Sequence, residues 1–122
     1  MRFFMTIMPS PDYEAGKPVP EKLMAAMGPF IEKSVQSGAL ISTAGLKRSQ
    51  SGTRLRGDSG RVAIIDGPFT ESKEVIGGYA VIELPSKADA IALATEFVNL
   101  HIDNGMPDIV VDVREIDGGY NF

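Results

Sequence analysis

Six short stretches of apolar or alternating residues, and two longer stretches with apolar residues at helical spacing, organise the chain. The short stretches are typical of β-strands and cover residues 3–8, 39–47, 53–56, 61–66, 79–84 and 108–116. The longer stretches predict helices that begin at Pro20 and after Ser86. This order predicts an α+β fold: a ferredoxin-like antiparallel sheet with two helices on one face and an added hairpin.

Local signals set the boundaries of the two helices. Residues 9–20 contain four prolines and one glycine, so we expect a loop without regular structure before the first helix. Inside that helix, Pro29 removes a backbone donor and predicts a kink or a break. The second helix is expected to begin after Ser86, with Asp89 completing a capping box, and to end near Asn104.

Side chains of a sheet alternate between two faces, and two helices cover only one of them. The other face of the first strand, with Phe4 and Met8, is largely apolar. A second copy of the sheet is the simplest cover for it, which predicts a homodimer. The space between the two sheets would contain Glu83, Asp112 and Arg114, a mixture suited to a small-molecule site. Alternatively, these charges lie at the rim of the sheet and pair with one another.

Composition narrows the classes of function. The 122 residues fit a single domain over residues 1–122. A net charge of −4 argues against direct contact with nucleic acid, which needs clustered basic residues. The absence of cysteine excludes thiol nucleophiles and zinc–thiolate sites. No apolar stretch reaches about 18 residues, so we expect no contact with a membrane and, by default, a cytoplasmic location.

The most distinctive stretch is DGPFTESKEVIGGYAVIEL, from Asp66 to Leu84, which joins two predicted strands. Its residue types have a structural interpretation, because turns are made of them. Asp66 would accept backbone hydrogen bonds, and Phe69 would fill the core beneath the turn. Gly77 and Gly78 would either adopt backbone dihedrals closed to other residues or let another backbone approach closely.

The same stretch also has a functional interpretation. Asp66, Glu71, Lys73 and Glu74 would converge at the end of a strand, where neighbouring charges shift carboxyl pKa values and can produce a general acid or base. No chelating motif is present, so we expect neither a metal nor a cofactor. His101, the one histidine, lies near the end of the second helix and is expected to be solvated rather than catalytic.

The stretch closely resembles the signature of the YCII-related, or DGPF-domain, family. The matching residues are Asp66, Gly67, Pro68, Phe69, Glu71, Lys73, Glu74, Gly77, Gly78 and Tyr79. The first strand and the segment after the first helix are similar to the family too, so the resemblance covers nearly the whole chain. It implies a ferredoxin-like domain that dimerises sheet to sheet, the arrangement of a dimeric α/β barrel.

For function, the resemblance implies less. Some relatives are small-molecule enzymes, including a dehydrochlorinase that acts on a chlorinated muconate-type acid, and others occur beside sigma factors. One branch of the family has a proposed His–Asp active pair. This chain has no histidine in the region of its first helix, so Asp66 and the acidic connection would have to work without that partner.

Two hypotheses of function follow. The first is a small-molecule enzyme that uses acid–base chemistry at an acidic pocket near Asp66, acting on a modest organic acid or ketone. Lys73 or Arg114 would place an anionic group, Tyr79 would donate a hydrogen bond, and Glu83 would lie in the same pocket. The second is a non-catalytic dimeric module that binds a ligand or a protein and is linked to transcription regulation.

Overall fold

The computed structural model describes residues 1–69 and 75–119. Its strands are β1 (Arg2–Met8), β2 (Leu40–Gly45), β3 (Thr53–Asp58), β4 (Arg61–Asp66), β5 (Gly78–Glu83) and β6 (Val110–Glu115). Its helices are α1 (Pro11–Glu14), α2 (Glu21–Gln36) and α3 (Lys87–Asp103), and a 3-10 turn spans Ser49–Ser51. All six strands and both long helices lie where the periodicity of the sequence predicts them.

Four strands form the main sheet, in the order β2-β5-β1-β6, with every neighbouring pair antiparallel. β3 and β4 form a separate two-stranded hairpin between β2 and β5 in the chain. The strand order and the two long helices are those of a ferredoxin-like fold. The prediction of an α+β, ferredoxin-like antiparallel sheet with an added hairpin is therefore confirmed.

The core lies between the sheet and the two long helices. Phe3 and Met5 of β1 alternate into it, as do Ala80 and Ile82 of β5. Phe97 of α3 joins them and meets the α2 ring of Phe30 at a centroid distance of 6.0 Å. Both long helices therefore cover the same face of the sheet.

The start of α3 is fixed as its sequence predicts. The Ser86 hydroxyl accepts a hydrogen bond from the Asp89 backbone N–H at 3.1 Å and donates one to the Asp89 carboxylate at 2.8 Å. This arrangement satisfies a backbone donor that the helix itself leaves unpaired.

Two local predictions were wrong. The predicted break at Pro29 does not occur: α2 continues to Gln36, because packing of its apolar side on the core holds the helix together despite the missing N–H donor, and the alternative of a kink stays a prediction. In the segment predicted as a loop, residues from Pro11 form the single helical turn α1. Proline is tolerated at the first position of a helix because its absent donor would have had no partner there.

The helix-free face of the sheet carries Phe4, Val110 and Ile116, all three exposed in the single chain. This is the incomplete cover that the alternation of the strands predicts. Within residues 1–69 and 75–119, no helix is both long and apolar enough to cross a bilayer.

Candidate functional site

The first residues of the DGPF stretch pack against the 3-10 turn. A side-chain carbon at Gly67 would overlap the backbone oxygen of Ser49, and the Gly67 N–H donates to the Gly52 oxygen at 2.9 Å. Phe69 is half-buried against Gly52, with the guanidinium of Arg54 at 4.3 Å from its ring centre. The prediction that Phe69 fills the core was wrong, since its ring packs at the base of the hairpin.

A buried hydroxyl ties three segments together at this point. Ser49 donates from its backbone N–H and its Oγ to the two carboxylate oxygens of Glu14, at 2.9 and 2.7 Å. The same Oγ accepts the Phe69 N–H at 3.1 Å. α1, the 3-10 turn and the DGPF stretch are therefore joined by one carboxylate and one hydroxyl. These contacts give the beginning of the motif a structural role, which is to anchor the hairpin.

Asp66, the first predicted catalytic residue, is the exposed last residue of β4 and pairs with Thr53 across the hairpin. It lies on the same face of the hairpin as Leu55 and Ile64, since residues two apart share a face. The other predicted catalytic residues, Glu71, Lys73 and Glu74, lie outside the described residues. Their convergence with Asp66 stays a prediction.

The predicted ligand-binding residues Tyr79, Glu83 and Arg114 share the helix-free face. Tyr79 stacks on Phe4, with ring centres 5.7 Å apart and planes 10° from parallel. Arg114 lies directly opposite Phe4 on the neighbouring strand. Glu83 pairs with Arg2 through a 3.2 Å contact, and both side chains are about half exposed. For Glu83 this matches the alternative of charges that pair at the rim of the sheet.

A pocket of about 440 Å³ lies on the other side of the sheet, between α2, the end of β1 and the end of α3. Its walls are mainly apolar and include three methionines, Met24, Met27 and Met106. Tyr13 and His101 are its two lining residues with a nitrogen or oxygen in the side chain. A small apolar cavity with few polar groups is a usual form of small-molecule site.

His101 contributes the reactive group of this pocket. The residue is only 7% exposed, and its ring centre lies 4.4 Å from that of Phe97. Nδ1 is 2.8 Å from the Phe97 backbone oxygen, which can only accept, so Nδ1 carries the proton and Nε2 is the acceptor of the neutral ring. The prediction of a solvated histidine was wrong.

The other ring nitrogen of His101, Nε2, has no hydrogen-bond partner among residues 1–69 and 75–119. His101 is one of the residues that line the pocket, so a ligand in the pocket lies beside this ring. Burial lowers the pKa of His101 below its ordinary value of 6.5, with the hydrogen bond to Phe97 opposing part of the shift.

Two residues far apart in the sequence, Tyr13 and Gly77, shape the rest of the pocket. The Tyr13 hydroxyl donates to the Leu46 oxygen at 2.6 Å, which fixes the ring and leaves its oxygen able to accept. At Gly77, a side-chain carbon would lie 2.7 Å from the ring of Pro9. At Gly78 a side-chain carbon would lie 3.1 Å from the backbone oxygen of Ala44, so the close backbone approach predicted for the glycine pair occurs there, while Gly77 meets a side chain at the wall of the pocket.

Spacing along α3 could have identified His101. Ala90, Ala94 and Phe97 are buried, and His101 continues the same series at helical spacing. Tyr13 gave no comparable signal, because its contact with Leu46 joins residues 33 positions apart. In the part of the chain that the structure describes, no group of three or more histidine, aspartate and glutamate side chains is placed to hold a metal ion.

Comparison with known proteins gives the context of this geometry. Residues 1–100 match the family model of the YCII-related domain. Among curated proteins, the chain is similar to an uncharacterized protein of Rhizobium meliloti (strain 1021). The two are 28% identical over 89 residues, which cover 73% of this chain and 72% of that protein.

Proposed function

The chain belongs to the YCII-related domain family, and the curated protein that it resembles is uncharacterized, so we propose a function from the pocket of this chain. The protein binds a small, largely apolar ketone, enol or phenol beside His101 and acts on it by acid–base chemistry. One observation carries this proposal: an imidazole in an apolar pocket has Nδ1 bonded to the Phe97 oxygen and Nε2 free to accept.

The chemistry follows from the protonation of that ring. Burial lowers the pKa of His101, so at neutral pH the ring is uncharged and Nε2 is a base. The Nδ1 hydrogen bond fixes the tautomer and the direction in which Nε2 points. The walls of the pocket are mainly apolar, so a ligand that displaces water from them strengthens the interaction between Nε2 and its own acidic hydrogen. His101 would accept a hydroxyl or enol hydrogen, or remove a hydrogen from the carbon beside a ketone.

The proposal moves the acid–base centre away from Asp66. That carboxylate is exposed on the hairpin and is not among the residues that line the His101 pocket. The roles predicted for Glu71, Lys73 and Glu74, and for Tyr79, Glu83 and Arg114 on the helix-free face, remain predictions that this proposal does not use.

A matched pair of ligands tests binding. Phenol and toluene have similar size, but only phenol has a hydrogen to donate to Nε2. We expect His101→Phe, which keeps an aromatic ring beside Phe97, to weaken phenol binding about tenfold and leave toluene binding unchanged, measured by ligand-detected NMR. Equal binding of phenol by both proteins, or no binding by the wild type, would refute the proposal.

A second assay tests the chemistry. Small ketones incubated with the protein in D₂O exchange the hydrogens beside the carbonyl when a base removes them. We expect faster exchange with the wild-type protein than with His101→Phe, followed by loss of the proton NMR signal. Equal exchange rates for the two proteins would show that His101 does not catalyse the exchange, and only the binding part of the proposal would remain.

The exposed apolar residues of the helix-free face support a second proposal, that the protein forms a homodimer. Phe4, Val110 and Ile116 are exposed there, and a second sheet laid on this face would cover them. Light scattering tests the proposal: a dimer has twice the 13.1 kDa mass of the chain. A link with transcription regulation rests on the resemblance alone, and no observation on the described residues adds to it.

A further inference from the structure

The β3–β4 hairpin, which we call the arm, has an apolar face that is exposed in the part of the chain that the structure describes. Leu55 lies opposite Ile64, and Val62 lies opposite Gly57 on the same face. Leu55 is 65% exposed, Ile64 is 70% exposed and Val62 is 68% exposed. The two strands of the arm pack mainly against each other.

The base of the arm is nevertheless held in place. The Gly67 N–H bonds to the Gly52 oxygen across the base, and Phe69 lies against both Gly52 and the guanidinium of Arg54. An isolated two-stranded ribbon is only marginally stable in water. A ribbon that is fixed at its base and apolar on one face is suited to packing against another surface.

We propose that the arm packs its apolar face on a second copy of this chain. This inference rests on the homodimer proposed above and extends it, because it assigns the arm, and not only the sheet, to the interface. In a two-fold pair each arm lies on the other copy, so both apolar faces are covered and the assembly closes at two subunits.

The exposed area supports this choice of partner. The chain exposes 8341 Å², whereas a folded monomer of 13.1 kDa exposes about 6,400 Å². The difference, roughly 2,000 Å², exceeds the approximately 800 Å² that each partner contributes to an interface of standard size. The apolar face of the arm and the helix-free face of the sheet are two surfaces that contribute to it.

The charges of the arm lie mainly off its apolar face. Arg54, Arg56, Asp58 and Arg61 are on the opposite face, and Asp66 is the one charged residue on the face that carries Leu55 and Ile64. This face is therefore suited to an apolar surface of the second copy, such as the helix-free face of its sheet, rather than to a charged one.

Docking also changes the surroundings of Asp66. This residue lies at the base of the arm, on the same face as Leu55 and Ile64. When the arm packs on a second copy, Asp66 lies beside the interface, and the partner supplies part of its environment.

Matched substitutions test the arm. Ile64→Lys places a charge on its apolar face, and Ile91→Lys places the same charge at an exposed position of α3. We expect Ile64→Lys to raise the dimer dissociation constant at least about 100-fold in sedimentation equilibrium, and Ile91→Lys to leave it within about threefold. Circular dichroism of both variants checks that the fold is kept.

A fluorescent reporter provides a second measurement that does not depend on disruption. The chain has no tryptophan, so Val62→Trp introduces a single one on the apolar face of the arm. We expect its emission to shift to shorter wavelength as protein concentration rises through the dissociation constant.

The outcomes separate the two proposals. A wild-type monomer at all concentrations overturns both the dimer and the docked arm. Suppose instead that the wild type is a dimer, that Ile64→Lys does not change its affinity, and that the emission of Trp at position 62 does not depend on concentration. This result overturns the docked arm but is compatible with the sheet-to-sheet dimer.

Discussion

At the scale of single residues, His101 combines packing and chemistry in one ring. Its Nδ1 is bonded to the Phe97 oxygen, its ring lies against that of Phe97, and the residue lines the pocket to which we assign Nε2. The contact that buries the ring is therefore also the contact that selects its tautomer. A substitution at this position changes the acid–base chemistry without changing the packing only if it keeps an aromatic ring.

Burial of His101 predicts a pH dependence of stability. The pKa of the folded state lies below the unfolded value of 6.5, so below pH 6.5 the unfolded chain binds more protons than the folded one. The contribution of His101 to the free energy of unfolding is therefore fully present above pH 6.5 and is lost as the pH falls from 6.5 through the pKa of the folded state. Urea unfolding at pH 8 and pH 5.5 should show a larger loss for wild type than for His101→Phe. Equal losses would contradict the assigned burial, since no other histidine is present.

Two glycines differ sharply in the space around them. A methyl group at Gly67 would overlap the backbone oxygen of Ser49, whereas at Gly57 it would meet nothing within 4 Å. We expect Gly67→Ala to lower the free energy of unfolding by at least about 2 kcal/mol and Gly57→Ala to change it by less than about 1 kcal/mol, measured by urea unfolding. Similar effects of the two substitutions would show that the motif does not pack on the 3-10 turn as described.

At the scale of elements, the attachment of the arm depends on Ser49. Ser49→Ala removes the hydroxyl shared by Glu14 and Phe69, so that the half-buried Phe69 N–H and one oxygen of the half-buried Glu14 carboxylate lose their partner. We expect a loss of about 1–3 kcal/mol and faster hydrogen exchange in β3 and β4. The matched control is Ser51→Ala, whose hydroxyl bonds only to the nearby Arg48 oxygen and is exposed. Unchanged exchange in the arm of Ser49→Ala would argue against an anchor there.

Elements were predictable where the signal is local. Alternation located each strand, helical spacing located α2 and α3, and Ser86 with Asp89 marked a helix start. α1 was missed because prolines disfavour a helix interior but not its first turn.

The candidate site was less predictable for a physical reason. The bond between Glu14 and Ser49 joins residues 35 positions apart, and the pocket combines β1, α2 and α3. Such contacts depend on how elements pack, which no local pattern records. The stretch with the most charge drew the prediction toward Asp66, whereas the one buried histidine lay on an apolar helix stripe. The buried spacing of Ala94 and Phe97 was the signal that pointed to it.

At the scale of the whole molecule, the sheet separates the proposed ligand site from the proposed sheet-to-sheet interface. The His101 pocket lies on the helix side, while Phe4, Tyr79 and Arg114 lie on the helix-free face. The residues assigned to the interface, on the arm and on the helix-free face, therefore include no residue that lines the pocket. A chamber enclosed between two sheets, which the alternation of the strands first predicted, is not needed for the pocket to exist.

This separation predicts independent binding and assembly. Ile64→Lys, which is expected to dissociate the dimer, should bind phenol with the affinity of the wild type, within about twofold. Calorimetric titration of both proteins at a concentration where the wild type is dimeric measures this. A large loss of affinity in the variant would place part of the ligand site at the interface.

The most direct test of the central claim is the ¹⁵N NMR spectrum of the imidazole of His101, which is free of overlap because the chain has one histidine. At pH 7 the account predicts a neutral ring with the proton on Nδ1, and a change in the Nε2 signal, but not in Nδ1, when phenol is added. A ring protonated on Nε2 at that pH, or ring signals that stay unchanged while phenol binds, would contradict a binding site at His101.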